Sequence, residues 1–132
     1  MPPFFERMKN MTVGAAIKAA DHLRANHFCV DEKLKWISRL DGKIANEVLQ
    51  PRSDIRGNVF KGYTQNDIEN ELLVPYPYDE LYVYYLISQI DYYNAEISRY
   101  NNSSMMFNNA YNEFEAAYNR DHMVAENKKF KW

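Results

Sequence analysis

His27 and Cys29 stand two residues apart, a spacing that can bring an imidazole and a thiolate onto one metal ion. A closed zinc site needs four convergent ligands. The sequence offers a single cysteine and two further histidines, His22 and His122, with no tight His pair. His27 therefore reads as a turn residue and Cys29 as a small core hydrophobe. Carboxylate pairs do acid–base work when burial drives their pKa values apart. Asp91, Glu96, Glu113 and Glu115 fall off the apolar positions of their segment, so they are expected to face solvent or a neighbouring subunit. Ser103-Ser104 has no base beside it in sequence, and a helix-interrupting role suffices for it. Gly14, Gly42, Gly57 and Gly62 are isolated and build no phosphate-binding loop. Met105-Met106 beside Phe107 reads as packing. The expectation is a chain with no catalytic residues, cofactor or metal, and so not an enzyme.

The elements that position these residues read as all-α. The chain has 132 residues, the size of one domain, and 46% are apolar, enough for a core. No run of 18 apolar residues occurs, so no membrane span is expected. The first residues are too polar for a signal peptide, and one cysteine fits a reducing cytoplasm. Residues 1–10 form an N-terminal arm around Pro2-Pro3. Residues 12–50 read as a helical hairpin. Thr12 caps its first helix, to about Asn26, with Val13, Ile17, Ala20 and Leu23 on one face. Asp31 caps its second, with Leu34, Ile37, Leu40 or Asp41, Ile44 and Val48 as its stripe, flanked by Trp36. Pro51 ends that helix near Gln50.

Residues 51–77 read as an irregular connection that carries an apolar strap, Leu72-Leu73-Val74. A connection of this length has a job or is disordered; the strap either lies across the helices or pairs with a neighbouring subunit. Asp67–Glu71 could form one helical turn within it. Residues 78–121 then show Val83, Leu86, Ile90, Tyr93, Ile97 and Tyr100 at steps of three and four, a heptad seam that runs in frame to Phe107, Tyr111, Phe114 and Tyr118. An unbroken frame predicts one long helix, while Asn101-Asn102-Ser103-Ser104 marks the place for a kink near Asn102. Residues 122–132 form a C-terminal tail, and both termini are expected to be flexible.

Tyr occurs 11 times and Asn 14 times. A tyrosine-rich helix can serve as a half-wet contact surface between subunits, or simply fill a polar-edged core. The net charge of −2 conceals a gradient. Residues 1–61 hold 11 Lys/Arg against 7 Asp/Glu, a local +4. Residues 62–122 hold only Arg99 and Arg120 against 10 acids, a local −8. Residues 123–132 are a local +2. Such a gradient suits packing between identical subunits and argues against a nucleic-acid clamp on the long helix. Candidate subunit or partner contacts are the strap residues Leu72, Leu73 and Val74, the tyrosines Tyr82, Tyr85 and Tyr92, the cations Arg99 and Arg120, and Phe130 and Trp132 of the tail.

Three motifs carry a resemblance. One is Met11-Thr12-Val13-Gly14-Ala15-Ala16. Another is Leu40-Asp41-Gly42-Lys43-Ile44 with Glu47. The most specific runs from Glu71-Leu72-Leu73-Val74-Pro75-Tyr76-Pro77-Tyr78-Asp79-Glu80-Leu81-Tyr82 through Asp91-Tyr92-Tyr93-Asn94-Ala95-Glu96, Arg99-Tyr100-Asn101-Asn102 and Phe107-Asn108-Asn109-Ala110-Tyr111 to Tyr118-Asn119-Arg120-Asp121-His122-Met123. Over residues 11–123 the chain resembles the head–tail connector, or adaptor, proteins of tailed bacteriophages and prophages of Gram-positive hosts. The resemblance implies a virion structural protein, assembled in the bacterial cytoplasm. It implies a homo-oligomeric ring, commonly of twelve subunits, under the portal protein at the capsid neck. Such a ring extends the DNA channel, through which DNA passes without sequence-specific binding, and offers a surface to the next neck or tail-completion protein. In such connectors the C-terminal segment often reaches into the portal, a role that would fall here to about Val124–Trp132. Acidic channel walls would let DNA slide. Arm 1–10 and the Lys-Lys-Phe-Lys-Trp ending depart from the family pattern. The alternative is a helical DNA-binding packaging protein such as a small terminase subunit, for which the basic first half leaves room. A generic helical scaffold is a third reading.

Overall fold

The computed structural model describes residues 10–49 and 60–129, with side chains as far as Asp121. The chain is all-α: four helices and no strand among the described residues. Helix α1 spans Val13–Leu23, α2 Val30–Ile44, α3 Glu80–Tyr93 and α4 Ile97–Lys129. A π-helical turn, Ala45–Leu49, continues α2, and a 3-10 turn, Gln65–Asp67, sits in the connection. The fold class thus follows the sequence pattern: a helical hairpin, an irregular connection and a long C-terminal helix.

Helix α1 starts where Thr12 Oγ1 accepts the amide of Ala15 at 3.1 Å. The Val13 and Gly14 amides, which lack partners inside any helix, donate to the carbonyls of Asn70 and Ile68. Leu72 N donates in turn to Met11 O, and Thr12 and Glu71 form an isolated antiparallel bridge. The segment from Ile68 to Asn70 therefore caps the start of α1, and the strap that follows lies across the chain's own helices. Gly14 is needed at this contact, since a Cβ there would stand 2.6 Å from Ile68 Cγ2 and 3.2 Å from Ile68 O. Two expectations on the hairpin change. Leu23 is 60% exposed, because α1 ends at Leu23, short of Asn26. Cys29, the N-cap of α2, is exposed and no core hydrophobe, and Asp31 sits inside the first turn. The α2 stripe of Leu34, Ile37, Leu40, Asp41, Ile44 and Val48 is buried, with Trp36 buried beside it.

The decisive departure lies after Tyr93. The segment 78–121 is not one helix. It breaks at Asn94–Glu96, and the Asn101–Ser104 stretch expected to kink lies inside unbroken α4. Ala95 adopts φ +58°, Glu96 N donates to Asp91 O at 2.9 Å, and Ala95 N donates to Tyr92 O at 3.0 Å. These paired bonds are a Schellman stop, with Ala where Gly usually stands. The chain reverses in three residues, so α4 runs antiparallel to α3. Tyr85 packs on Phe107 with ring centroids 5.1 Å apart, and Tyr78 faces Phe114 at 6.2 Å. The heptad seam is folded in two and covers itself. Val83, Leu86, Ile90 and Phe114 enter one core and Phe107 packs against it, while Ile97 at the reversal is 69% exposed.

Helix directions follow from the contacts. Met11 meets Asp79 and Arg24 meets Asp91, so α1 and α3 run parallel. Asp41 meets Tyr82 and Trp36 meets Tyr93, so α2 runs the other way. The bundle is up-down-up-down. No helix is long and apolar enough to cross a membrane among the described residues.

Candidate interaction surfaces

Two buried carboxylates fix the bundle. Asp41 sits on the apolar stripe of α2 with no solvent exposure. Its Oδ1 accepts the Tyr82 hydroxyl at 2.6 Å; its Oδ2 accepts the Tyr63 hydroxyl at 2.5 Å and the Leu73 amide at 3.3 Å. The Tyr82 hydroxyl also accepts the amide of Val74 at 2.8 Å. Burial raises the Asp41 carboxyl above its ordinary range, and the three donors offset part of that rise. Both phenols are held well above theirs, by burial first and then by the adjacent Asp41 charge. The arrangement ties α2, the strap and α3 together, and its phenols keep their protons. It is a structural knot.

The second carboxylate is Asp91, 1% exposed near the end of α3. Arg24 Nε lies 2.8 Å from Oδ1, Arg24 Nη2 donates to Oδ2 at 3.1 Å, and Ser103 Oγ donates to Oδ2 at 2.9 Å. This ion pair, with the hydrogen bonds from Arg24 Nη2 and Ser103, joins α1, α3 and α4. The expectation that Asp91 faces solvent or a neighbour is therefore overturned, and Ser103 is a buried clasp rather than a helix breaker. Its hydroxyl shares its bond with the carbonyl of Arg99, which keeps it compatible with helix.

The other sequence candidates separate by exposure. Leu72, Val74 and Tyr82 are buried in the chain's own core, so they present nothing to a partner in this conformation. Leu73 and Tyr85 are half-buried, and Arg99 and Arg120 are exposed. Arg99 pairs with Glu96 at 3.3 Å. Phe130 and Trp132, like arm 1–9 and the end of the α2 segment at Gln50, lie outside the described residues. Met105 and Met106 are 58% and 43% exposed rather than packed.

An exposed apolar patch sits at the α3–α4 reversal. Tyr92, Tyr93 and Ile97 are 58%, 55% and 69% exposed. They border an open cleft of about 520 Å³, with Tyr100 and Asn101 on its far side. Tyr93 stacks face to face on Trp36 at 5.6 Å, and Phe28 meets both rings edge-on. Tyr92 is held by Tyr100 at 5.4 Å. Rigid aromatic rings exposed around a concavity are the usual material of a binding hot spot. Tyr92, a contact candidate in the sequence, is exposed here. Tyr93 and Ile97 were read as seam residues, and only the reversal turns them outward. His27 and Cys29 are both exposed in the α1–α2 turn, and no cluster of three metal-ligating side chains forms among the described residues. No family model matches the chain, and no curated protein or solved structure matches it.

Proposed function

We propose that this chain is a structural head–tail connector of a tailed phage, a ring-forming adaptor that sits under the portal, extends the DNA channel and receives the next neck protein. The observation that carries the reading is the aromatic tip: Tyr92, Tyr93 and Ile97 exposed together around a cleft on a rigid helix reversal. A monomer that had no partner would gain nothing from holding three large apolar side chains in water at one end. The resemblance of the motifs from Glu71 to Met123 to phage connectors supports a portal and a neighbouring copy as that partner, and a helical bundle closed by buried polar knots is a suitable rigid strut. The test is the mass of the purified chain in solution, alone and with a portal protein, followed by imaging of any assembly. The expected result is a ring, free or seated on the portal; a stable monomer that ignores the portal removes the reading.

A second reading, a DNA-binding packaging protein, is favoured by one observation. Lys35, Arg39 and Lys43 are exposed at four-residue spacing along α2, a cationic stripe of the kind that follows phosphates. Duplex-DNA binding that persists at moderate salt and weakens when these three are neutralised would favour it.

A further inference from the structure

Helix α4 has two flanks, each forming a cleft of about 240 Å³ with a different neighbour. On one flank, Phe107 and Tyr111 meet α2 across a cleft rimmed by Arg39 and Lys43. On the other, Met106 and Ala110 meet the start of α3 across a cleft rimmed by Glu80 and Glu113. Residues 106–113 contribute to both, so the two clefts stand at the same height on the bundle. Each rim then changes sign further down. Glu47, two turns beyond Arg39, lies with Glu115 near Tyr111 on the basic flank. Arg120, two turns beyond Glu113, follows on the acidic flank. One side thus reads positive then negative, and the other negative then positive, in the same direction along the axis. Arg39, Lys43, Glu47, Glu80, Glu113 and Arg120 are all exposed. Among the described residues none of these six forms an ion pair.

We propose that these flanks are the two halves of one interface, and that the occupant of the Arg39–Lys43 cleft is the Glu80–Glu113 edge of a second copy standing parallel beside it. The inference rests on the ring reading above and names its contact surface. Charge complementarity selects this partner: the two flanks carry opposite sign orders along the same axis and face each other with an offset of about one helical turn, and like flanks brought together would set cation against cation. Opposite faces of one helix cannot meet within a single molecule. The contact is therefore head-to-tail around an axis, the kind that closes into a ring when the rotation per subunit allows. Met106, 43% exposed on the acidic flank, supplies an apolar group to enter the neighbour's Tyr85–Phe107–Tyr111 cleft.

The experiment uses two full-length variants, one with Arg39→Glu and Lys43→Glu, the other with Glu80→Gln and Glu113→Lys. Both are checked for helical content by circular dichroism. Their mass is measured in whichever condition the wild-type chain assembles, alone or on a portal. Each variant alone is expected to lose assembly, because its altered flank meets a like charge, and an equimolar mixture is expected to restore it. Folded variants that assemble as well as wild type would overturn the flank pairing and leave the ring reading standing, as would a mixture that stays dispersed. A wild-type chain that assembles in neither condition would overturn both.

Discussion

Replacing Tyr82 by Phe tests whether the buried knot, and with it the strap, holds the bundle shut. The ring stays and one oxygen goes. That oxygen donates to Asp41 at 2.6 Å and accepts from Val74 N at 2.8 Å, in a place with no solvent exposure. Phe leaves a buried amide without an acceptor and removes one of the three donors to a buried carboxyl. A stranded buried polar group costs about 1–3 kcal/mol, and two are affected here, so the expected loss is about 3 kcal/mol. In urea denaturation with a slope of about 2 kcal/mol/M, the midpoint falls by about 1.5 M. The slope itself should not change, since the same surface is exposed on unfolding.

The pH dependence supplies a second reading of the same substitution. Asp41 has a folded-state pKa above its unfolded value, by burial, with the Tyr63, Tyr82 and Leu73 donors pulling it back. A carboxyl raised in this way favours folding below its unfolded pKa and loses that contribution as pH rises through the folded pKa. Removing the Tyr82 donor raises the folded pKa further. The variant therefore loses more stability relative to wild type at neutral pH than in acid below the folded pKa, where the carboxyl is protonated in both. A loss below about 0.5 kcal/mol at neutral pH, of the size of an ordinary surface substitution, would refute the knot as a stabilising element.

Other consequences are equally direct. Arg24→Met strands the Asp91 carboxylate with Ser103 as its one side-chain donor and should cost about 2–3 kcal/mol, less than for a fully buried pair because Arg24 is 26% exposed. Adding Asp91→Leu to that variant should recover much of the loss in the same denaturation assay. Ala95→Gly should stabilise the reversal by up to about 1 kcal/mol, since Gly adopts φ +58° without the Cβ clash, and a raised melting temperature would show it. Gly14→Ala should destabilise by about 1–3 kcal/mol by forcing Ile68 and its carbonyl away from α1, and faster deuterium exchange of the backbone amide at position 14 than in wild type would report the loosened cap.

The places where the sequence misled have definite physical causes. The heptad frame of Val83 through Tyr118 was real, but it could not tell a continuous rod from two rods that face each other. Apart from Tyr93 and Ile97, which the reversal leaves exposed, both use the same residues at steps of three and four. The three residues from Asn94 to Glu96 happen to preserve the count, and the usual marker of a helix stop, glycine at the left-handed position, is replaced by Ala95. Asn101–Ser104 misled in the opposite sense. Ser103 looks like a breaker because its hydroxyl can compete for backbone partners, yet here it is aimed at a carboxylate on the facing helix. Asp41 had a signal that could have been followed further. A carboxyl in step with Leu34, Ile37, Ile44 and Val48 must be paired by donors, and the tyrosines needed were plentiful. Asp91 carried no such mark, because its partners Arg24 and Ser103 are distant in sequence. The α1 and α2 stripes were legible because amphipathic periodicity and a Thr cap act locally.

The reversal also changes what an assembly can be built from. A single straight helix from residue 78 to 121 would have left its apolar seam for neighbouring subunits to cover, and association would then be driven by core-like burial. Once α3 and α4 cover each other, the bundle closes on itself, and among the described residues two kinds of surface stand out for neighbours. One is the aromatic tip at Tyr92, Tyr93 and Ile97, a compact patch at one end. The other is the pair of charged clefts along the sides of α4. Contacts of the first kind suit a lasting seat on a different protein placed above or below. Contacts of the second kind are polar, salt-sensitive and weak one at a time, because exposed charge pairs gain little in water. They become strong when many identical subunits close a ring and each bond is formed within an already tethered assembly. Under the ring proposal, a subunit built in this way joins its copies once a template has gathered them. That division of labour predicts that raising the salt concentration disperses the sides before it loosens the tip.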